Sequence, residues 1–504
     1  MVEATLSETL FWSILRALLV ASCALLPLLV LRRAWEGTRT SRMRRWIIAA
    51  AALPFFIPEL LTGFHYRVQA ALWASELAPS ANAAFAEALY GLLQLLRAVS
   101  AGTVVLLLLP QNPAAVSGLH TWKLLRPILP LQHWIGGLLR LLVTGVLAAP
   151  LAAWSVMAIT VFQEFETAAL MQIDRHPLAW TVWMFDAHAA QQPLLESLRM
   201  AVAPLAVEFL LLLPLLPAVC RAGGAGGEEL RTWSVGEQRP AGWLIHMLAA
   251  SYCLAAAIML VGIPQLRLGA ETISGLRLLF GSVRLLQQSL VQVLTSTAVS
   301  ASAALAALSV CALAARLRQN AGTNRAPRLL VPAVLLLPGL AGPLASSLTL
   351  LALFQMPLLR PFYDTWLPLM LGLMLAVLPR AFALQLLLER FDKSEAIHSA
   401  EQLGQSPIAQ VRSSSATILW RLIDLRRLGA LLLLTQWCFW DVTSTSILRP
   451  LDPEPAITRL YNEMHFARTE VLLGLTALSA LAPGVLFVSG LLLQWWIRKK
   501  RTRS

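Results

Sequence analysis

Long apolar runs alternate with short polar connections along the whole chain. Runs near or above the ~20 residues that cross a bilayer lie at 8–31, 46–64, 88–109, 135–163, 197–220, 242–264, 287–315, 329–354, 366–388, 428–447 and 471–497. The pattern predicts about eleven transmembrane helices. Lipid offers backbone groups no partners, and these segments are too long and too uniformly apolar for barrel strands, so the expected class is all-α and polytopic. Composition agrees: 57% of residues are apolar and 13% charged, against roughly 25% charged in soluble domains.

The net charge of +13 would suit a nucleic-acid partner, but its placement does not. Arg32, Arg33, Arg39, Arg42, Arg44 and Arg45 lie in the first connection, Arg316, Arg318, Arg325 and Arg328 follow the seventh run, and Arg498, Lys499, Lys500, Arg501 and Arg503 close the chain. With alternating spans these fall on one side, together with Lys123, Arg126 and the basic residues of 389–427. The positive-inside rule makes that side cytoplasmic, with the N-terminus outside, the C-terminus inside and the first span retained. Lipid is the expected partner; nucleic acid is not.

Chemistry-bearing motifs are sparse. Cys23, Cys220, Cys253, Cys311 and Cys438 lie in or beside apolar runs with no CxxC spacing, so neither a disulfide framework nor a zinc site is expected. No phosphate-binding loop, His-Glu-x-x-His or nucleophile-elbow motif occurs. Catalytic residues, cofactors and a resident metal are therefore not expected, and the chain is read as a non-enzyme.

Two features organise the rest. The connection 389–427 is long, charged and helix-favouring, with Glu395, Glu401 and Arg412 among apolar Ile397, Leu403, Ile408 and Val411, the composition of short amphipathic helices with a docking face. The second feature is an internal repeat. Phe162-Gln163-Glu164-Phe165-Glu166-Thr167 and Phe439-Trp440-Asp441-Val442-Thr443-Ser444 align with Glu164 and Asp441 277 positions apart, and without a gap Ala179 meets Ala456, Thr181 meets Thr458, Asp186 meets Glu463 and His188 meets His465. Such repeats are common in transporters. The glycine-rich stretch 221–239 is then a flexible linker between an N-terminal half, 1–220, and a C-terminal half, 240–504.

Carboxylates that follow long apolar runs would cost at least ~2.5 kcal/mol each facing lipid. Glu164, Glu166 and Asp441, with Thr443 and Ser444, are therefore expected at an outer interface, against the other half, or on a pathway for a polar or cationic solute. His188 and His465 are read as structural rather than as metal ligands.

These segments resemble a known family. His398-Ser399-Ala400-Glu401-Gln402-Leu403-Gly404, followed by Ser406-Pro407 and Ile418-Leu419, is similar to the EAA loop of ABC importer permeases, with His398 where the family has glutamate. Asn112-Pro113-Ala114, three residues, Gly118, then Ile128-Leu129-Pro130 repeats its spacing in the first half. Asp441 to Leu448 and Ala456 to Phe466 resemble a conserved segment of the iron(III)-type permeases, whose relatives carry thiamine, aminoalkylphosphonates and polyamines. The resemblance implies two pseudo-symmetric, type I permease-like halves fused in one chain of a bacterial inner membrane. It implies a solute-binding protein outside and cytoplasmic ABC ATPase subunits, two copies, docked on the loops at His398, Ser399, Ala400, Glu401 and Gly404 and at Ala114, Gly118, Ile128 and Pro130. The residues leave two alternatives open: an ion-coupled secondary transporter with the carboxylates as proton relays, or a degenerate permease-like scaffold or sensor without ATP coupling.

Overall fold

The computed structural model describes residues 5–38, 40–73, 78–109, 113–124, 126–128, 130–171, 178–190, 192–215, 241–320, 325–392, 395–465 and 469–501. Among them there is helix and turn but no strand: an all-α, multi-pass membrane architecture. Among the described residues eight helices are long and apolar enough to cross a bilayer, or up to nine if one bent pair is a single span. The expected linker at 221–239 lies outside the described residues.

By contacts the chain forms two compact units, Met1–Leu266 with Thr323–Leu329, and Arg267–Gly322 with Leu330–Ser504. The first holds α1 (Leu6–Glu36), α2 (Ser41–Ala52), α3 (Glu59–Trp73), α4 (Pro79–Leu108), α5 (Pro113–Leu124), α6 (Leu131–Leu141), α7 (Ala148–Phe162), α8 (Glu166–Met171), α9 (Trp180–Ala189), α10 (Leu194–Met200), α11 (Val202–Leu212) and α12 (Trp243–Ala257). Helix α13 (Ile263–Gly281) leads into the second, which holds α14 (Val283–Asn320), most of α15 (Arg325–Phe354), α16 (Trp366–Asp392), α17 (Glu395–Gly404), α18 (Ala409–Leu419), α19 (Leu425–Phe439), α20 (Val442–Leu448), α21 (Ala456–His465) and α22 (Thr469–Arg501). Helix α12, which in the sequence division opens the C-terminal half, packs on α1 and α2 within the first unit.

Each unit is built around one helix with a stripe of small residues. In α1, Ser13, Ala17, Ala21, Ala24, Leu28 and Leu31 are buried at helical spacing, and this face meets α4 and α7. In α14 the stripe is Ser296, Ser300, Ala303, Ala307 and Cys311, against α16 and α19. Small side chains suit this work because, with lipid tails outside, close van der Waals packing rather than water exclusion drives helix association. Helix α1 begins on a reciprocal cap: Thr5 Oγ1 accepts from the Glu8 amide and the Glu8 carboxylate from the Thr5 amide at 3.0 Å.

Among the expected spans, those at 46–64, 329–354 and 428–447 are not single membrane-crossing helices, each for a visible reason. The run at 46–64 is broken by Pro54 and Pro58 into α2 and α3, bent by 68°. Arg97 of α4 holds the bend by pairing with Glu59 at 2.5 Å and donating to the Ile57 carbonyl that the break frees. The run at 329–354 is interrupted at Gly342, whose φ of 68° only glycine adopts readily and which precedes Pro343, leaving Ala341–Phe354 as a shorter apolar helix. The run at 428–447 becomes a fifteen-residue α19, a break at Asp441, and the short α20.

Three π-helical turns lie within long helices, at Leu142–Val146 before α7, Ile258–Gly262 before α13 and Trp420–Asp424 before α19. Helix α22 comes close enough to α13 that a Cβ on Gly474 would stand 2.6 Å from the Gly275 carbonyl oxygen, whereas Gly484 faces open space. Gly474→Val is expected to cost about 1–3 kcal/mol by overpacking and to lower the unfolding temperature in detergent, with Gly484→Val near wild type. Equal melting of the two variants would show that this approach is not tight.

Candidate functional site

The sequence-selected residues fall on a helical hairpin and on the capped break that follows it, once in each unit. The connection 389–427 folds as α17, a turn, and α18. Ile397 and Ala400 are buried against α18, and Ser415 Oγ donates to the Ala400 carbonyl at 2.5 Å. His398, Ser399, Glu401, Gln402 and Leu403 form the exposed face, with Gln402 Nε2 3.1 Å from His398 Nε2. Gly404 ends α17. Its backbone angle is ordinary, so the need for glycine is proximity: a Cβ there would stand 3.1 Å from Ser415 Oγ.

The first-half segment also folds as two packed helices, held by other contacts. Helices α5 and α6 are pinned by a reciprocal pair, Trp122 Nε1 to the Trp134 carbonyl at 3.0 Å and Trp134 Nε1 to the Trp122 carbonyl at 3.2 Å, with Arg126 over the Trp134 ring. Pro130 caps α6 and Ile128 is exposed in the turn. Ala114 lies in the first turn of α5, its side chain outside the described ones. Gly118 faces open space; the close approach in this hairpin is instead at Gly137, under the Trp122 ring. Asn112 and Leu129 lie outside the described residues.

Beyond each hairpin the chain runs through a π turn into a long apolar helix and ends at an acidic residue. Shifted by 277 positions, the bounds of α7 coincide with those of α19, and α6, α8 and α9 fall within one residue or so of α18, α20 and α21. The acids perform one local task. Glu164, buried, accepts from the Thr167 and Ala168 amides at the start of α8. Asp441 accepts the Ser444 amide at 2.9 Å and the Ser444 hydroxyl at 3.0 Å at the start of α20. The carbonyls of both residues receive hydroxyls, from Thr181 at 2.7 Å and from Thr445 at 2.6 Å. A helix begun inside an apolar protein has free amides that no water reaches, and an anion satisfies them and the helix dipole together.

A serine on each central helix repeats the pattern. Ser13 Oγ accepts the Trp180 amide at 3.0 Å and Ser296 Oγ the Ala456 amide at 2.9 Å, so the next short helix in each unit, α9 or α21, starts on α1 or α14. Sequence reading passed over both serines because each is a lone hydroxyl in an apolar run. Each lies on the small-residue stripe of its central helix, Ser13 one turn before Ala17 and Ser296 one turn before Ser300.

The surroundings of the two acids differ. Around Glu164 a chain of polar contacts crosses the first unit: Glu87 to Arg16 at 2.5 and 3.1 Å, the Arg16 guanidinium 5.0 Å over the Tyr90 ring, and the Tyr90 hydroxyl to Glu164 Oε2 at 2.5 Å. Asp441, with Thr443 and Ser444 buried beside it, has Arg380 in its electrostatic neighbourhood, stacked on Trp437. Glu166 lies in the first turn of α8, half-buried. His188 is half-buried in α9, its basicity lowered by burial; the His465 side chain lies outside the described ones. Among the described residues no three His, Cys, Asp or Glu side chains converge as metal ligands. No family model, curated protein or solved structure matches the chain.

Removing either cap separates its two roles. Asp441→Ala is expected to cost about 1 kcal/mol, the value of an N-cap. Glu164→Ala is expected to cost about 2–4 kcal/mol, because it also leaves the buried Tyr90 hydroxyl without an acceptor, and Tyr90→Phe in that background should recover part of the loss. Thermal unfolding in detergent measures this; equal losses for the two alanine variants would show that the Tyr90 contact contributes nothing.

Proposed function

We propose that the chain is the permease subunit of an ABC-type importer, two pseudo-symmetric halves fused in one polypeptide, moving a small solute such as iron(III) across a bacterial inner membrane with energy from a separate ATPase. The observation that carries this reading is the succession of hairpin, π turn, apolar helix, capped break and two short helices, found twice at one offset along the chain. In this reading the hairpins face the cytoplasm, as the distribution of arginines predicts, the ATPase subunits dock on them, and a solute-binding protein delivers the solute from outside.

The residues suit a lever. The outer face of α17 offers His398, Glu401, Gln402 and Leu403, a mixed surface for a protein groove. The inner face is tied to α18 by the Ser415–Ala400 hydrogen bond. From α18 the helix continues through the π turn into α19 and reaches Asp441. A displacement at the hairpin is thus delivered along one rod to the break, where Thr443 and Ser444 sit. Glu164 and Glu166 occupy the corresponding place in the first unit. Rigid-body movement of packed elements about such breaks is a general route between inward-open and outward-open states.

Gly404→Ile forces the hairpin apart at Ser415, and Glu401→Lys reverses the exposed charge. Both are expected to insert and fold yet to retain several-fold less ATPase on affinity purification from the native membrane and to lose solute uptake. A wild-type protein that never retains an ATPase, with variants that transport as well as it does, would overturn the coupling reading.

A further inference from the structure

Helix α11 is apolar except for Glu208, and that side chain is fully buried. Gln163, the residue that ends α7, donates Nε2 to Glu208 Oε1 at 3.0 Å. The other oxygen, Oε2, has no partner among the described residues. Among the described residues, the elements that pack most on α11, namely α7, α10 and the turn Leu213–Leu215, bring no counter-charge to it. Helix α7 has no titratable side chain, and just past its end the Glu164 carboxylate is taken up by the α8 amides and Tyr90. The turn Leu213–Leu215 has none either. Helix α10 carries Glu196 and Arg199, both exposed and at least two helical turns away along the chain. At the 277 offset the second unit has Val485, so the feature belongs to the first unit alone.

An ionised carboxylate in this place would hold a full charge on one amide hydrogen bond, and burial of an unpaired charge costs several kcal/mol. A metal cation would need a shell of oxygen ligands, about six for magnesium or calcium, where this site supplies one carboxyl group and at most one amide oxygen. A proton needs a single oxygen. With the proton on Oε2, Oε1 still accepts from Gln163 and no net charge is buried.

We propose that Glu208 is a proton-binding site inside the first unit, occupied while α11 packs on α7 and emptied when the two helices part and water reaches the carboxyl. The step is a simple transfer: the O–H bond of Glu208 breaks, water takes the proton as hydronium, and the carboxylate left behind is solvated by the water that has entered. Gln163 ties this equilibrium to the rest of the unit. It stands next to Glu164, so a movement of the capped break displaces the donor that orients Glu208. The inference stands apart from ATPase coupling and holds for any function in which the α7–α11 contact opens.

Infrared spectra of the full-length protein in lipid vesicles test it. Wild type at neutral pH is expected to show the carbonyl band of a protonated carboxylic acid, which shrinks as pH is raised while carboxylate bands grow; Glu208→Gln, which keeps the bond to Gln163, is expected to lose that component. A wild type without an acid carbonyl band at neutral pH, or a band unchanged in Glu208→Gln, overturns the proposal. Should the variant fail to fold, wild type treated with dicyclohexylcarbodiimide, which attacks protonated carboxyls from an apolar phase, decides the assignment by peptide mapping. An adduct on Glu208 supports it, and modification of other carboxyls with Glu208 untouched counts against it.

Discussion

Every interruption of a helix inside an apolar protein exposes backbone amides and carbonyls that neither lipid nor a hydrocarbon side chain can satisfy. The architecture follows from how those groups are met. Glu164 and Asp441 take the amides of α8 and α20; Ser13 and Ser296 take those at the start of α9 and α21; Arg97 takes the Ile57 carbonyl at the bend between α2 and α3. Because these groups are satisfied, the chain can break and turn at depth, and the short helices between spans have fixed positions rather than being tethers.

This also explains why charged residues survive in so apolar a sequence. Arg16 and Glu87 neutralise one another, and Tyr90 relays the arrangement to Glu164. Truncating Glu164 would take the acceptor from the buried Tyr90 hydroxyl, which is more costly than never having had the pair. The second unit meets the same demand with a shorter acid and a hydroxyl, Asp441 and Ser444, and places an arginine, Arg459, on Gln292 of its central helix instead.

Much of this was legible in the sequence, and the parts that were not share a cause. Hydropathy places most spans, because a bilayer demands a length that composition alone can satisfy. It misplaces continuity at Pro54, Pro58 and Gly342, where mean apolarity is unchanged and only the backbone chemistry of single residues breaks the helix. The repeat was visible as residue matches around Glu164 and Asp441, and the hairpin of α17 and α18 as amphipathic composition. The capping role was written in Glu164-x-x-Thr167 and Asp441-x-x-Ser444, but acids after apolar runs draw attention as pathway groups before they are read as helix starts. Ser13, Ser296, Gln163 and Glu208 depend on partners more than forty positions away, or on a neighbouring helix, and no local pattern announces them.

The π turns before α7 and α19 carry a consequence for register. A π turn is one residue more than an α-helix needs over the same rise, so each rotates all that follows by about a quarter-turn relative to an uninterrupted helix, close to the 100° each residue contributes. The register between each hairpin and the long helix that follows it is therefore set by residues in 142–146 and 420–424. Loss of the codon for Thr144 or Arg421 would keep every apolar residue and still rotate the hairpin against the long helix by about a quarter-turn.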